Sequence, residues 1–191
     1  MNKLGLDVGK LFKIVEKTAL NPSITKMVID APFIARRALP GQFIILRVDE
    51  HGERIPLTIA DYDREKGTVT IIYQKVGKTT LLLDTLQQGE AILDFVGPLG
   101  KASELEGYKK AAVIGGGAGC AIAYPQAKAL FNMGTHVDVI AGFRNKELII
   151  LEDEMKKVSQ NLTVMTDDGS NDHKGFVTDA LLANIQNGAG Y

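Results

Sequence analysis

Tryptophan is missing from the 191 residues, cysteine occurs once, and neither sign of charge prevails, with 22 Lys and Arg against 23 Asp and Glu. The single cysteine, Cys120, excludes an internal disulfide framework and any metal or iron–sulfur centre ligated by this chain's cysteines, so redox chemistry would have to use a bound organic cofactor. Balanced charge without a basic block, and few rings for base stacking, argue against a nucleic-acid surface. No apolar run reaches the roughly 18 residues of a membrane span. The opening Met1-Asn2-Lys3-Leu4-Gly5-Leu6-Asp7 also has no signal-peptide apolar region, and a cytoplasmic protein is expected. What is present, 45% hydrophobic and 24% charged residues, suits one sizeable core or two small domains.

The two halves follow different grammars. Up to Phe95 the chain consists of short β-branched segments: Lys10 to Lys17, Thr25 to Ile29, Gln42 to Val48, Ile55 to Ala60, Thr68 to Gln74 and Ala91 to Phe95. Their separators carry turn residues (Asn21-Pro22-Ser23, Pro40-Gly41, His51-Gly52, Lys66-Gly67, Gln88-Gly89), which predicts a six-stranded antiparallel barrel or sandwich. One helical patch, Thr79 to Leu86, interrupts it. After Gly97-Pro98-Leu99-Gly100 the pattern becomes βαβαβα. Strands are expected at Ala111 to Ile114, His136 to Ala141 and Leu162 to Met165. Helices are expected up to Met133, along Leu148, Leu151, Met155 and Val158, and over Val177 to Ile185. Such alternation implies a parallel sheet with crossover helices. The domains are therefore expected at 1–101 and 102–191. The chain stops at Gly188-Ala189-Gly190-Tyr191, where a fourth strand would begin, so the second domain is expected to be incomplete at its C-terminus.

Several segments could carry chemistry. Gly115-Gly116-Gly117-Ala118-Gly119 lies between a buried strand and a helix, where backbone can approach a pyrophosphate and the helix N-terminus favours an anion. Cys120 occupies the third glycine position of the dinucleotide fingerprint, and a plain Gly-rich turn is the alternative. At the end of the second strand, where an acid would bind an adenosine ribose, the chain reads Gly142-Phe143-Arg144-Asn145-Lys146. Arg144 and Lys146 could neutralise a phosphate, or they form a solvated loop with Asn145 capping the next helix. Arg54-Ile55-Pro56-Leu57-Thr58 puts Arg54 and Thr58 on one strand face, for a phosphate and a ring heteroatom respectively, although any exposed strand can carry such a pair. Val76-Gly77-Lys78-Thr79-Thr80 lacks the first glycine of an ATPase phosphate loop, because Ile72 stands there, and leaves a glycine turn into a short helix. It is either an anion site or simple capping by Thr79 or Thr80. Asp167-Asp168-Gly169-Ser170 follows the third strand at the ligand-binding edge of an α/β sheet, where Asp and Gly also simply make turns. His51, His136, His173 and Cys120 form no hydrolase constellation.

Taken together, these segments resemble the ferredoxin–NADP reductase superfamily, an FAD-binding barrel followed by a nicotinamide-nucleotide domain. Within it the chain is similar to the electron-transfer subunit of dihydroorotate dehydrogenase, sulfide dehydrogenase and the small subunit of NADH-dependent ferredoxin–NADP oxidoreductase. The resemblance rests on Pro40-Gly41-Gln42-Phe43, Arg54 to Thr58, Val76 to Thr80, Gly97 to Gly100, Gly115 to Gly119, and Asp167 to Ser170 with Gly175-Phe176-Val177-Thr178, in that order and spacing. It implies that Arg54 binds the FAD pyrophosphate and that Pro56, Leu57 and Thr58 line the isoalloxazine, with Thr58 near N5. Gln74 and Val76, with Gly77, Lys78, Thr79 and Thr80, would complete the FAD site. Gly115, Gly116, Gly117 and Gly119 would cradle the nicotinamide dinucleotide, beside Arg144, Asp168 and Gly169.

The implied activity is hydride transfer between NAD(P)H and FAD with no acid–base residue, then single-electron transfer to an iron–sulfur or partner-subunit acceptor. The missing acid near Arg144 points to NADP(H) and the relatives to NAD(H), which is slightly favoured. A [2Fe–2S] cluster is expected only if a further C-terminal segment supplies cysteines. A catalytic partner subunit in a heteromer is expected, and a non-catalytic FAD-binding scaffold is the alternative.

Overall fold

The computed structural model describes residues 12–191. The strand start expected at Lys10 and the opening heptapeptide lie outside them. Two compact units divide the chain after Lys101.

In the first unit, alternating apolar residues make half-buried strands, and turn residues separate them. The elements are β1 (Phe12–Asn21), β2 (Ile24–Asp30), α1 (Pro32–Ala35), β3 (Phe43–Arg47), β4 (Ile55–Asp63), β5 (Thr68–Gln74), α2 (Lys78–Thr85), β6 (Ala91–Ile92) and β7 (Asp94–Leu99). In β2, β3 and β5 every second side chain is buried, and Met27, Ile29, Ile44, Leu46, Val69, Ile71 and Phe95 share one core. The β1–β2 turn is held by Asn21, whose Oδ1 accepts from the N–H groups of Ser23 and Ile24, both at 2.9 Å.

The strand order is β6-β1-β2-β5-β4-β3-β7, all antiparallel. The first and last members of that series are separated in the sequence by Leu93 alone, so the sheet returns on itself as a nearly closed barrel. This corrects the expected count of six strands to seven. The segment Ala91 to Phe95 changes partner at Leu93, from β1 to β3, and pairing then continues to Leu99.

The second unit contains β8 (Lys110–Gly116), a 3-10 turn (Gly117–Gly119), α3 (Cys120–Asn132), β9 (His136–Phe143), α4 (Glu152–Lys157), β10 (Asn161–Thr166) and α5 (Val177–Gln186). The strands form a parallel sheet in the order β10-β9-β8. A Cβ on Gly115 would point at Cys120 and Ala123 of α3, whereas one on Gly142 would meet Val177 of α5. Gly115 pairs with Ala141, the neighbour of Gly142, so the two helices cover opposite faces. The helix expected along Leu148, Leu151, Met155 and Val158 is shorter than its periodicity suggests. Lys146–Leu148 is a 3-10 turn, Leu151 takes a left-handed φ of 59°, and only Glu152–Lys157 is α-helical. Leu151, Met155 and Val158 are nevertheless all buried, so the pattern reflects one packed side without continuous helix. No helix among the described residues is long and apolar enough to cross a membrane.

Asp138, 4% exposed in the buried central strand, is the charge this unit has to accommodate. It accepts from Asn161 Nδ2 at 2.7 Å and Tyr191 OH at 2.9 Å, with His136 Nε2 at 3.0 Å and Lys110 Nζ at 3.5 Å. Burial opposes its charge, but these donors and cations outweigh burial and hold the carboxyl below its ordinary value. The stabilisation is therefore complete above the unfolded carboxyl's pKa of about 3.9 and is lost as pH falls through the lower folded value. Asp138→Ala should cost roughly 1–3 kcal/mol in denaturant unfolding at pH 5. That difference should narrow towards pH 3, and a pH-independent difference would contradict the assignment.

Candidate functional site

In the barrel, the antiparallel pairing of β4 with β5 puts the start of β4 and the end of β5 at the same end. Arg54 immediately precedes β4, and its guanidinium is 60% exposed. Its Nη2 donates to Asp94 Oδ2 at 2.9 Å, and the same oxygen accepts from Arg47 Nε at 2.7 Å. Two guanidiniums thus share one carboxylate, leaving a net positive charge with most of the Arg54 fork uncommitted. Along β4 the alternation sends Ile55 and Leu57 against the core, with Pro56 exposed and Thr58 half-buried on the other side. Leu57 therefore has only main chain to offer a ligand on that outer side.

At the end of β5, Gln74 and Val76 are exposed and α2 begins after Gly77. Thr80 Oγ accepts from the N–H groups of Val76 and Gly77, each at 3.1 Å, and donates to Gly77 O at 3.1 Å. Thr79 is buried. The Thr80 hydroxyl is thus tied to the protein and Thr79 is turned inward, so the groups turned outward are Lys78 and the first-turn N–H groups of α2. A Cβ on Gly77 would find nothing within 4 Å, so the approach to this turn is open.

Asp84, in the last turn of α2, fixes the helix to the barrel. Its Oδ1 accepts from Thr25 at 2.7 Å and Tyr73 at 3.1 Å, and its main-chain oxygen accepts from Lys17 Nζ. Lys17 and Lys75 approach the carboxylate at 3.7 and 3.6 Å. Burial disfavours the Asp84 charge, but these hydroxyls and lysines prevail and hold its carboxyl low. Burial and that carboxylate push the Tyr73 phenol up.

In the second unit, parallel strands deliver three candidate loops to the carboxyl edge of one sheet. The glycine turn follows β8, Arg144 follows β9, and Asp167 to Ser170 follow β10. Gly115 is buried, and a Cβ there would lie 3.0 Å from both Cα and Sγ of Cys120. This glycine is required by the packing of α3 on β8. Gly117 has a φ of +52°, and Cβ atoms on Gly117 and Gly119 would meet nothing within 4 Å, which leaves open ground before α3. Cys120 is buried, and burial pushes its thiol up to about 12, which suits a packing residue.

The other two loops are joined. Asp167 N donates to Phe143 O at 3.0 Å and Asp168 N to Arg144 O at 3.3 Å, so Arg144 and Asp168 are brought together through the backbone. Ser170 Oγ accepts from Lys146 N at 2.7 Å, and Ser170 N donates to Asp168 Oδ1 at 2.9 Å. The Ser170 hydroxyl and N–H hold the Asp168 carboxyl below its ordinary value. Asn145 caps the 3-10 turn, accepting from Leu148 N at 3.2 Å. Among the described residues no cluster of His, Cys, Asp and Glu could hold a metal ion.

No family model matches the chain. A relative from Clostridium beijerinckii, named for its place in the adh 3′ region, is 50% identical over 184 residues, 93% of this chain and 62% of that protein. The dihydroorotate dehydrogenase B (NAD(+)) electron transfer subunit homolog of Thermotoga maritima is 44% identical over 171 residues, 90% of this chain and 60% of that protein. A solved structure of NADH-dependent reduced ferredoxin-NADP oxidoreductase superposes with a TM-score of 0.86 at 41% identity, covering 95% of this chain and 65% of that one. The chain is thus a homologue of dihydroorotate dehydrogenase B electron transfer subunits with a ferredoxin reductase-like fold. It spans about 60% of the length of the Clostridium and Thermotoga relatives.

Within this fold, Asp84 and Asp94 were not legible in the sequence as working residues, and Ser170 was legible only as the end of the Asp167-Asp168-Gly169-Ser170 turn. Asp84 left one trace, an acid in the last turn of a helix, where the helix dipole opposes it unless cations compensate. Asp94 left none, because its role arises from pairing distant in sequence. The glycine turn yields a test of its two functions. Gly115→Ala should lower stability by roughly 1–3 kcal/mol through overpacking. Gly116→Ala, with extended backbone and its nearest neighbour 4.0 Å from the new Cβ, should leave the thermal midpoint almost unchanged. Equal losses in calorimetry would contradict this division.

Proposed function

We propose that the chain is a flavoprotein electron-transfer subunit that passes hydride between NAD(H) and FAD, and then single electrons to an acceptor held by a partner subunit. The observation that carries this reading is the presence of two anion-receptive frameworks in one chain. One is an exposed guanidinium with an open helix N-terminus on the barrel, and the other is a glycine turn at the carboxyl edge of a parallel sheet. The names of the relatives support the same reading, as does their mention of electron transfer and NAD(+).

The residues present fit FAD. Its diphosphate needs a cation and N–H donors, and Arg54, Lys78 and the first turn of α2 offer both beside the unobstructed Gly77. Pro56, the Leu57 main chain and Thr58 are assigned to the flavin ring, with the Thr58 hydroxyl hydrogen-bonding near its reactive edge and Gln74 and Val76 completing the rim. When bound, FAD supplies the conversion between two-electron and one-electron transfer. Gly116, Gly117 and Gly119 receive the pyrophosphate of the nicotinamide nucleotide, while Gly115 makes that turn possible. Arg144, Asp168 and Gly169 bind its ribose and nicotinamide. No side chain is assigned a proton, because binding and orientation are the tasks left to the protein.

The donor is NAD(H) on this reading, although Arg144 stands where a ribose-binding acid would favour it. Cys120 is the chain's one cysteine, so the ligands of any iron–sulfur acceptor come from outside these 191 residues. A heteromer with a catalytic subunit follows from the need for an acceptor. Arg54→Ala removes a charge-assisted phosphate contact worth roughly 1.5–3 kcal/mol and should weaken FAD binding about ten- to hundredfold in a fluorescence titration. Unchanged FAD affinity would overturn the flavin site.

A further inference from the structure

We propose that Ser170 is a positioning residue for the nicotinamide nucleotide, latching the loop after β9 to the loop after β10 so that Arg144 and Asp168 are presented as one surface. The inference rests on the reading of this sheet edge as the nucleotide site.

Ser170 works in two directions. Its oxygen accepts the Lys146 N–H at 2.7 Å, across 24 residues of sequence, and its own N–H donates to Asp168 Oδ1 at 2.9 Å. The hydroxyl that accepts from Lys146 and the N–H that donates to Asp168 both act to hold the Asp168 carboxyl below its ordinary value. Each loop has separate local support. Asn145 caps the turn at Leu148, and Asn171 holds the base of the β10 loop by donating to Val164 O at 2.8 Å and accepting from Thr166 Oγ at 2.7 Å. Among the described residues, three hydrogen bonds join the two loops. Two are main-chain bonds close to the strand ends, at Phe143 and Arg144. The Lys146–Ser170 bond lies farthest out, and it is the one that uses a side chain.

Arg144 is exposed and directly follows β9, and the cross-links at its own carbonyl and at Lys146 bracket it. A mobile arginine loop would have to be ordered each time a nucleotide binds, which lowers affinity without changing events after binding. Ser170 thus acts on nucleotide affinity through Arg144, and makes no chemical contribution of its own.

The experiment uses the full chain loaded with FAD, following flavin reduction by NADH without oxygen in a stopped-flow instrument. Ser170→Ala should raise the half-saturating NADH concentration about three- to tenfold. The limiting rate and FAD content should stay within about twofold of wild type. Adding Ser170→Ala to Arg144→Ala should cause little further loss. As an independent variant, Lys146→Pro removes the donor at the first position of a helical turn, where proline is tolerated. It should weaken NADH binding beyond Lys146→Ala. An unchanged half-saturation in Ser170→Ala, a fall in limiting rate alone, or full additivity with Arg144→Ala would overturn the latch. A wild-type protein that binds FAD but responds to neither NADH nor NADPH would overturn the nucleotide-site reading, and the latch with it.

Discussion

Buried backbone N–H and C=O groups must be paired, and the two ways this chain pairs them decide where its polar side chains lie. In the first unit the solution is closure. The strand that leaves β1 at Ile92 joins β3 from Asp94 onward. Bending at Leu93 ends β6 and begins β7, and it sets the Asp94 carboxylate between Arg47 and Arg54. A flat sheet ending at Phe95 would have left those arginines to solvent. Here the barrel seam and the best candidate phosphate ligand are parts of one arrangement.

In the second unit the solution is parallel pairing, which obliges the chain to return to the same side before every strand. All three strands therefore end at one edge, and the glycine turn, Arg144 and Asp168 meet there although they are well separated in sequence. The opposite edge carries the cost of a buried charge. Asp138 lies near the start of the central strand and is neutralised by Lys110 and by donors from β10 and Tyr191. The candidate ligand groups and the fold-stabilising charges are thus kept at opposite ends of the sheet.

Much of this was legible in the sequence where one physical signal dominated. β-Branched enrichment in Thr68 to Gln74 and the apolar run at Ala111 to Ile114 located strands, because β-branched segments between turn residues and a short apolar run bounded by turns both favour extended chain. The signal failed where packing and backbone geometry diverge. Leu151 keeps its place in an apolar stripe while sitting in a left-handed conformation that ends any continuous helix. The strand switch at Leu93 was invisible because Ala91 to Phe95 is largely apolar on both sides of the bend. At the candidate sites the residue types were readable, but their partners were not. Arg54 could be marked as a phosphate ligand without Asp94, and Asp168 as a ligand without Ser170, since partners supplied by strand pairing or loop cross-links leave no local pattern. Gly115 shows a further ambiguity: its place in a glycine run reflects contact with Cys120 and Ala123, while its neighbours supply the open space.

That one chain binds both a flavin and the nucleotide that reduces it is tested most directly by anaerobic addition of NADH, and separately NADPH, to the purified FAD-bound protein, with the flavin absorbance near about 450 nm as the readout. The expected result is stoichiometric bleaching, faster with NADH. A flavin band that neither nucleotide bleaches would contradict the hydride-transfer role and leave a non-catalytic FAD-binding scaffold in its place.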